Sequence, residues 1–409
     1  MSLEELKTIR EEISKKLYPW SAGKTSISEL SDDKRKAYLG LATDEKDMAM
    51  MATARVEEDA LMASEGLRFA YLTSWNWRNV GGVDWTTPVK DQKGCGSCVS
   101  FATSAVVEAN LEIFRRNPYL NPNLSEADLF FCGCGKCCAS GWNFPPALDY
   151  AKSKGIPDDA CYPYTDKDQP CKPCADRAKR IIKIQGWRSL STASQAKEWI
   201  CRHGPVITGM AVYTDFFSYR GGVYRHASGR LEGYHAIAVV GYSETEQCWI
   251  CKNSWGTGWG EGGWFRIRYG ECGIGSTFPF YTVEFPALND DVIMPKTGKV
   301  VAKLKSKSAA FENEFRLYSP TNKLIFKAAD SQVGKTFDVG TFSAGQKLIF
   351  ALKTPDGNTY YTTHAWNKDA CDHVIKVQTG NYKWELRWED LYGLGDQDYN
   401  DVVAEIEIK

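Results

Sequence analysis

A cysteine attacks carbon only as its thiolate, so the informative cysteine among the 14 in this chain is one placed where an anion is favoured. Gln92-Lys93-Gly94-Cys95-Gly96-Ser97-Cys98-Val99-Ser100-Phe101 is a glycine-rich turn that runs into Val99, Phe101, Ala102, Ala105, Val106, Ala109 and Ile113 at helical spacing. The pattern predicts Cys98 at or just inside a helix N-terminus, where free N–H groups and the positive end of the macrodipole favour the anion. A thiolate also needs a proton acceptor. Tyr234-His235-Ala236-Ile237-Ala238-Val239-Val240-Gly241-Tyr242 reads as a buried strand carrying one histidine, and Lys252-Asn253-Ser254-Trp255-Gly256 as the end of the next strand. Of the five histidines, His203, His226, His364 and His373 lack this setting. A lone buried cysteine or core histidine is usually inert packing; the two together point to a nucleophile and its base.

At these places the chain resembles the papain family of cysteine peptidases. His235 and Asn253 lie 137 and 155 residues beyond Cys98, close to the spacing of about 130 to 150 residues seen in that family. The resemblance runs from about Trp75 to Tyr281 and takes in Val83-Asp84-Trp85, Thr87-Pro88-Val89-Lys90-Asp91-Gln92 and Leu124-Ser125-Glu126-Ala127-Asp128-Leu129. Tyr162-Pro163-Tyr164, Tyr219-Arg220-Gly221-Gly222-Val223-Tyr224 and the run from Asn253 to Gly263 continue it in the same order. Two positions depart from the family: Val99 stands where an aromatic residue usually follows the nucleophile, and Tyr234 replaces an acidic residue often found before the histidine.

The resemblance implies peptide-bond hydrolysis without a cofactor, on protein or peptide substrates, through an acyl-enzyme. Cys98 would attack the carbonyl, His235 would hold and return the proton, Asn253 would orient the imidazole, and Gln92 would donate to the oxyanion with the Cys98 N–H. Trp255 would shield the His235–Asn253 bond. Gly141 would bond the substrate backbone, and Trp142, Asn143, Gly209, Gly233, Ala236 and Thr277 would surround a pocket for an apolar or aromatic side chain. An inactive papain-fold binding or toxin module, or a transpeptidase using the same acyl-enzyme, are the alternatives. The family pattern also pairs Cys95 with Cys138 and Cys132 with Cys171. With Cys98 free and Cys371 apart, twelve cysteines remain in this region, enough for six disulfides and an oxidising, secreted or extracellular location. A zinc site from Cys134, Cys137, Cys171 and Cys174 is the competing reading of the CxxC spacings.

The elements that must position these groups give an α+β fold class. A helical, cysteine-rich first half and a second half with strands at Leu231 to Gly241, Cys248 to Lys252 and Gly263 to Arg268 predict two lobes, helical and antiparallel sheet or open barrel, with the cleft between them. The expected divisions are a helical, propeptide-like segment over 1–72, a papain-like domain over 73–285, a linker over 286–298 and a β-sandwich over 299–409. In the first, the stripe Leu3, Leu6, Ile9, Ile13 and the run Met48 to Leu67 predict two helices joined through Pro19 to Ser31. In the last, strands are expected at Val300 to Leu304, Glu314 to Tyr318, Lys323 to Lys327, Lys347 to Leu352, Val374 to Gln378, Lys383 to Trp388 and Val402 to Ile408. Its acidic stretch from Trp388 to Asp401 resembles the terminal loop of bacterial adhesin-like β-domains. There Asp396, Asp398, Asn400 and Asp401, completed by Glu389 or Asp390, are candidate Ca²⁺ ligands. This domain is expected to engage a surface, a carbohydrate or a protein. The net charge of −1 argues against nucleic acid, no apolar run is long enough to insert in a membrane, and no secretory signal is visible at Met1 to Lys7.

Overall fold

The computed structural model describes residues 1–43, 72–80, 82–115, 117–285, 291–363, 367, 373–391 and 399–409. The chain forms two compact units, Met1–Phe285 and Pro286–Lys409.

In the first unit, helix α1 (Leu3–Lys15) starts at Ser2, whose hydroxyl accepts from Glu5 N while Glu5 returns a bond to Ser2 N, a capping box. Its buried face is Leu6, Ile9 and Ile13. Strand β1 (Trp20–Ala22), helix α2 (Asp32–Lys36) and strand β2 (Ser74–Asn76) follow. Next come α3 (Cys98–Arg115), α4 (Phe144–Ser153), β3 (Ser189–Leu190) and α5 (Ala193–Arg202), then β4 (Val206–Tyr213), β5 (Tyr219–Tyr224), β6 (Leu231–Ser243), β7 (Cys248–Lys252), β8 (Trp264–Arg268) and β9 (Phe280–Tyr281). Among the described residues the nine strands make one sheet in the order β1-β5-β8-β7-β6-β4-β9-β3, with β2 on β6. One apolar core lies on this sheet and a second surrounds α3, giving the two expected lobes.

The N-terminal segment departs from the expected pair of helices. Pro19 to Ser31 contains β1, which adds antiparallel to β5, because Gly221 and Gly222 let the two backbones close up: a Cβ on Gly222 would lie 2.2 Å from Pro19 O. Trp20 packs at a tilt against Tyr219 and Tyr224 behind it. The second expected helix, Met48 to Leu67, lies outside the described residues.

The cysteines also correct the sequence reading. Cys95–Cys138 and Cys132–Cys171 are bonded as the resemblance implied, and Cys134–Cys137 and Cys161–Cys174 are bonded as well. This excludes the zinc set, whose four sulfurs are all in disulfides. The expected six bonds are four among the described residues, since Cys201, Cys248, Cys251 and Cys272 are free and buried. Cys248 and Cys251 are three apart on β7 and so face opposite sides of the sheet.

The second unit has two antiparallel five-stranded sheets: β10 (Val292–Ile293), β12 (Glu314–Ser319), β13 (Lys323–Lys327), β15 (Lys347–Lys353) and β16 (Thr359–Tyr361) in one; β11 (Gly298–Lys307), β14 (Thr336–Phe342), β17 (Val374–Gly380), β18 (Lys383–Trp388) and β19 (Val402–Ile408) in the other. Phe315, Phe350, Trp388 and Ile406 fill the space between them. All seven expected strands are present. β10, β14 and β16 were not anticipated, being short or, for β14, broken by Gly340.

Beneath α3 a buried charge cluster joins the loop before Cys98 to the helix. Glu108 accepts from Thr87 Oγ1 (2.5 Å), Lys90 Nζ (2.9 Å) and Leu124 N (2.8 Å), and Lys90 also reaches Glu126 at 2.6 Å. Burial would lower the Lys90 ammonium, but Glu126 and Glu108 outweigh it and hold it above the usual range. Glu108→Ala should therefore leave Thr87 Oγ1 and Leu124 N without their buried acceptor and Lys90 with Glu126 as its one carboxylate, and lower the unfolding free energy by about 3 kcal/mol in urea titration. A loss below about 1 kcal/mol would mean the cluster contributes little.

Candidate active site

Cys98 is the first residue of α3 and His235 lies on β6; both are fully buried. Helix and strand pack together, and the main chain of Ala236, next to His235, faces the Cys98 sulfur. His235 Nε2 lies 2.8 Å from Asn253 Oδ1, which also accepts from Ser254 N at 2.8 Å. An amide oxygen only accepts, so this contact places a proton on Nε2 and leaves Nδ1 as the basic nitrogen of the neutral ring. Nδ1 has no hydrogen-bond partner among the described residues. Trp255 covers the ring with centroids 4.8 Å apart, backed by Phe217 and Trp259, so water is kept from the His235–Asn253 bond.

Gln92 is fixed at both ends of its amide. Oε1 accepts from Ser254 Oγ at 2.6 Å, which turns Nε2 toward Cys95 O (3.0 Å) and Tyr38 O (3.1 Å). The second acceptor belongs to the N-terminal segment. Residues 38–42 run through the cleft: Trp142 N donates to Gly40 O (2.9 Å), Ala42 N to Trp142 O (2.9 Å) and Leu41 N to Tyr234 O (3.2 Å). The passage is narrow. A Cβ on Gly40 would lie 2.0 Å from Gly96 O, and one on Gly141 (φ +72°) would lie 2.0 Å from Gly40 O.

This cover sets the electrostatics. Burial pushes the Cys98 thiol up to about 11, against the pull of the Ala236 and Gly40 main chain. Burial pushes His235 down to about 4, against the bond its ring donates to Asn253 and the pull of the Tyr38 main chain. Both shifts favour the neutral pair, thiol and imidazole, while the cover is in place.

The residues singled out for a pocket are brought together in part. The Leu41 side chain fills a recess where a Cβ on Gly209 would come within 2.5 Å of it, while Gly141, Trp142, Gly233 and Tyr234 line the neighbouring chain. Asn143 is spent as the N-cap of α4, its Oδ1 accepting from Phe144 N at 2.7 Å. Thr277 lies in the turn that folds onto Gly273, and the residue that meets Gly209 is its neighbour Phe278, 2.7 Å from that Cβ position. Phe278 was not singled out in the sequence, where only its neighbour Thr277 was expected at the pocket. Tyr38 to Ala42 were missed too; only Gly40, between two apolar residues, hinted at close backbone approach.

A family model for "Papain family cysteine protease" matches residues 72–282, and a model of a domain of unknown function matches 328–409. "Cathepsin B-like cysteine proteinase 1" of Haemonchus contortus is 31% identical over 254 residues, covering 53% of this chain and 74% of that one. A solved structure of digestive procathepsin L 3 from Tenebrio molitor superposes with TM-score 0.54 at 26% identity, over 69% of this chain and 88% of its own. A procathepsin B from Trypanosoma congolense shares the fold, with TM-score 0.56 at 23% identity and coverage of 69% and 99%.

The raised thiol is a measurable state. In the intact chain Cys98 is fully buried and its thiol raised, so its alkylation by iodoacetamide at pH 7, followed by peptide mapping, should be at least about tenfold slower than in the chain cleaved near residue 72. Fast, pH-independent labelling between pH 6 and 8 would contradict a covered, protonated thiol.

Proposed function

The chain belongs to the papain family of cysteine proteases, and we propose that it cleaves peptide bonds with Cys98 as nucleophile, His235 as proton carrier, Asn253 as orienting residue and Gln92 as oxyanion donor. The observation that carries these roles is the His235–Asn253 contact of 2.8 Å, which leaves Nδ1 basic and unpartnered. Once residues 38–42 leave, water and substrate enter. Cys98 then passes its proton to His235, and the thiolate at the head of α3 attacks the carbonyl. The Gln92 amide, freed from Tyr38 O, takes the developing oxyanion. His235 protonates the leaving amine, and water, deprotonated by His235, releases the acyl group.

Residues 1–72 act as the propeptide of a zymogen, 73–285 as the peptidase domain and 286–409 as an accessory module, the expected linker over 286–298 being shortened by β10, which pairs with β15. The preferred substrate carries a leucine-sized side chain in the recess now holding Leu41. Four disulfides support a secreted or other oxidising destination. The outer face of β11, β18 and β19 carries the ion pairs Lys305–Glu385 and Lys383–Glu405, which suits a polar partner such as a surface, carbohydrate or protein.

Calcium in the second unit has a donor set to support it. Ligand oxygens of Glu389, Asp390 and Asp401 lie within 4.8 Å of one another, Asn313 Nδ2 donates to Asp390 Oδ2 at 2.6 Å, and the buried Asn313 Oδ1 has no partner among the described residues. An all-oxygen set of this charge suits Ca²⁺. Of the residues expected from the sequence, Asp401 belongs to this group, Asn400 accepts from Ser308, and Asp396 and Asp398 lie outside the described residues.

Three outcomes test these assignments. Cys98→Ala should abolish peptide hydrolysis by the cleaved enzyme; residual turnover at wild-type rate would end the assignment. Leu41→Asp should raise the activity of the uncut chain at least about tenfold, since a carboxylate in the apolar recess is costly, and unchanged latency would show that residues 38–42 are not the block. The third concerns calcium. Burial and Asp401 raise the Asp390 carboxyl, so its contribution to stability is present below its ordinary value and lost as pH rises through the raised one. Calcium should therefore raise the unfolding midpoint of the full chain more at pH 7 than at pH 4; equal midpoints with calcium and with chelator at pH 7 would remove the ion from the account.

A further inference from the structure

The four disulfides are not alike. Three close loops whose ends are 43, 39 and 13 residues apart, and each takes much conformational freedom from the unfolded chain. Cys134–Cys137 joins residues only three apart, so by the same argument it contributes least to holding the fold. It is also accessible: both cysteines are half-buried, Lys136 between them is exposed, and nothing lies within 4 Å of a Cβ built on Gly135 (φ +92°). A lysine beside a thiol favours the thiolate, the form that takes part in exchange.

Its position couples it to the cleft. Cys137 O accepts from Gly141 N at 2.8 Å, and Gly133, one residue before Cys134, lies under the Trp142 ring, where a Cβ would meet Cη2 at 2.5 Å. The next residue, Cys138, is anchored to Cys95, and its carbonyl accepts from Gly96 N at 2.8 Å. The small ring thus braces the turn 137–141 that presents Trp142 N and O to the cleft.

We propose that Cys134–Cys137 is a thiol–disulfide exchange site for a dithiol reductant, and that its reduction loosens the Gly141–Trp142 edge against which chain in the cleft is bound. One thiolate of the reductant attacks either sulfur and breaks the S–S bond, giving a mixed disulfide and one free thiolate. The second thiol of the reductant then displaces the other cysteine. Two electrons pass to the protein, Cys134 and Cys137 each end as a thiol with one proton, and the reductant ends as its own disulfide. The link to substrate affinity rests on the peptidase reading; the exchange itself does not.

The test uses the full-length protein. It is equilibrated across ratios of reduced to oxidised dithiothreitol, quenched by alkylation and mapped by mass spectrometry. Cys134 and Cys137 should become labelled at a ratio at least tenfold less reducing than Cys132, Cys171, Cys161 and Cys174; labelling together with them or later overturns the site. Hydrogen exchange at the Ala42 and Trp142 amides should then be at least about threefold faster in C134S/C137S, and in wild type selectively reduced at this bond should that variant misfold. Unchanged exchange overturns the coupling. Neither readout needs turnover, so a chain that fails to hydrolyse peptides counts against the catalytic roles alone.

Discussion

The site depends on a charge that has to be buried and satisfied at once. Glu108 sits in the middle of α3 with about 1% of its surface exposed, and its carboxylate is met by Thr87, Lys90 and the Leu124 amide. Lys252, at the end of β7, donates to Thr87 O and Oγ1 at 2.6 and 3.0 Å. Through these contacts one carboxylate fixes the loop that ends in Gln92, the helix that begins at Cys98 and the strand that leads into Asn253. Burial pushes the Lys252 ammonium down to about 8, while Glu108 draws it back up, so the cluster holds its geometry close to the limit at which the lysine would lose its charge. The groups proposed to act in catalysis come from three places in the sequence. Their relative positions follow from this polar knot between two apolar cores.

Latency in this molecule has an electrostatic side as well as a steric one. The main chain of residues 38–42 occupies the cleft, and its Tyr38 carbonyl takes the Gln92 amide that an oxyanion would need. By excluding water it also removes the solvation that would let Cys98 ionise and His235 accept a proton, which is why the two groups move in opposite directions, to about 11 and about 4. Little of the hold is ionic. Leu6, Ile9, Ile13, Trp20 and Ile27 belong to the same core as Trp255 and Trp259, and β1 is a full member of the sheet. The segment is fastened by apolar burial and backbone pairing. The small disulfide at 134–137 adjoins the turn whose Trp142 pairs with Gly40 and Ala42 in the cleft.

The sequence by itself determined the chemistry and the class of fold. Cys98 at a helix start, His235 on an apolar strand and Asn253 at the end of the next are readable because each rests on local periodicity, and their order and spacing carry the family. Seven of the ten strands of the second unit were legible for the same reason: alternation has a period of two whatever the strand pairs with. Tertiary structure decided what depends on partners remote in sequence. Cys201, Cys248, Cys251 and Cys272, read as further disulfide halves, are each buried and free, since pairing depends on which sulfurs the fold brings together. Pro19 to Ser31 holds a strand in place of a connector because Gly222, two hundred residues away, lets another backbone approach. Asn143 caps a helix while Phe278 takes the place beside the pocket. Above all, residues 38–42 have no motif of their own, and their role exists only where Gly96, Gly141 and Gly209 leave room for a passing chain, since steric fit between distant backbones is written in no local pattern.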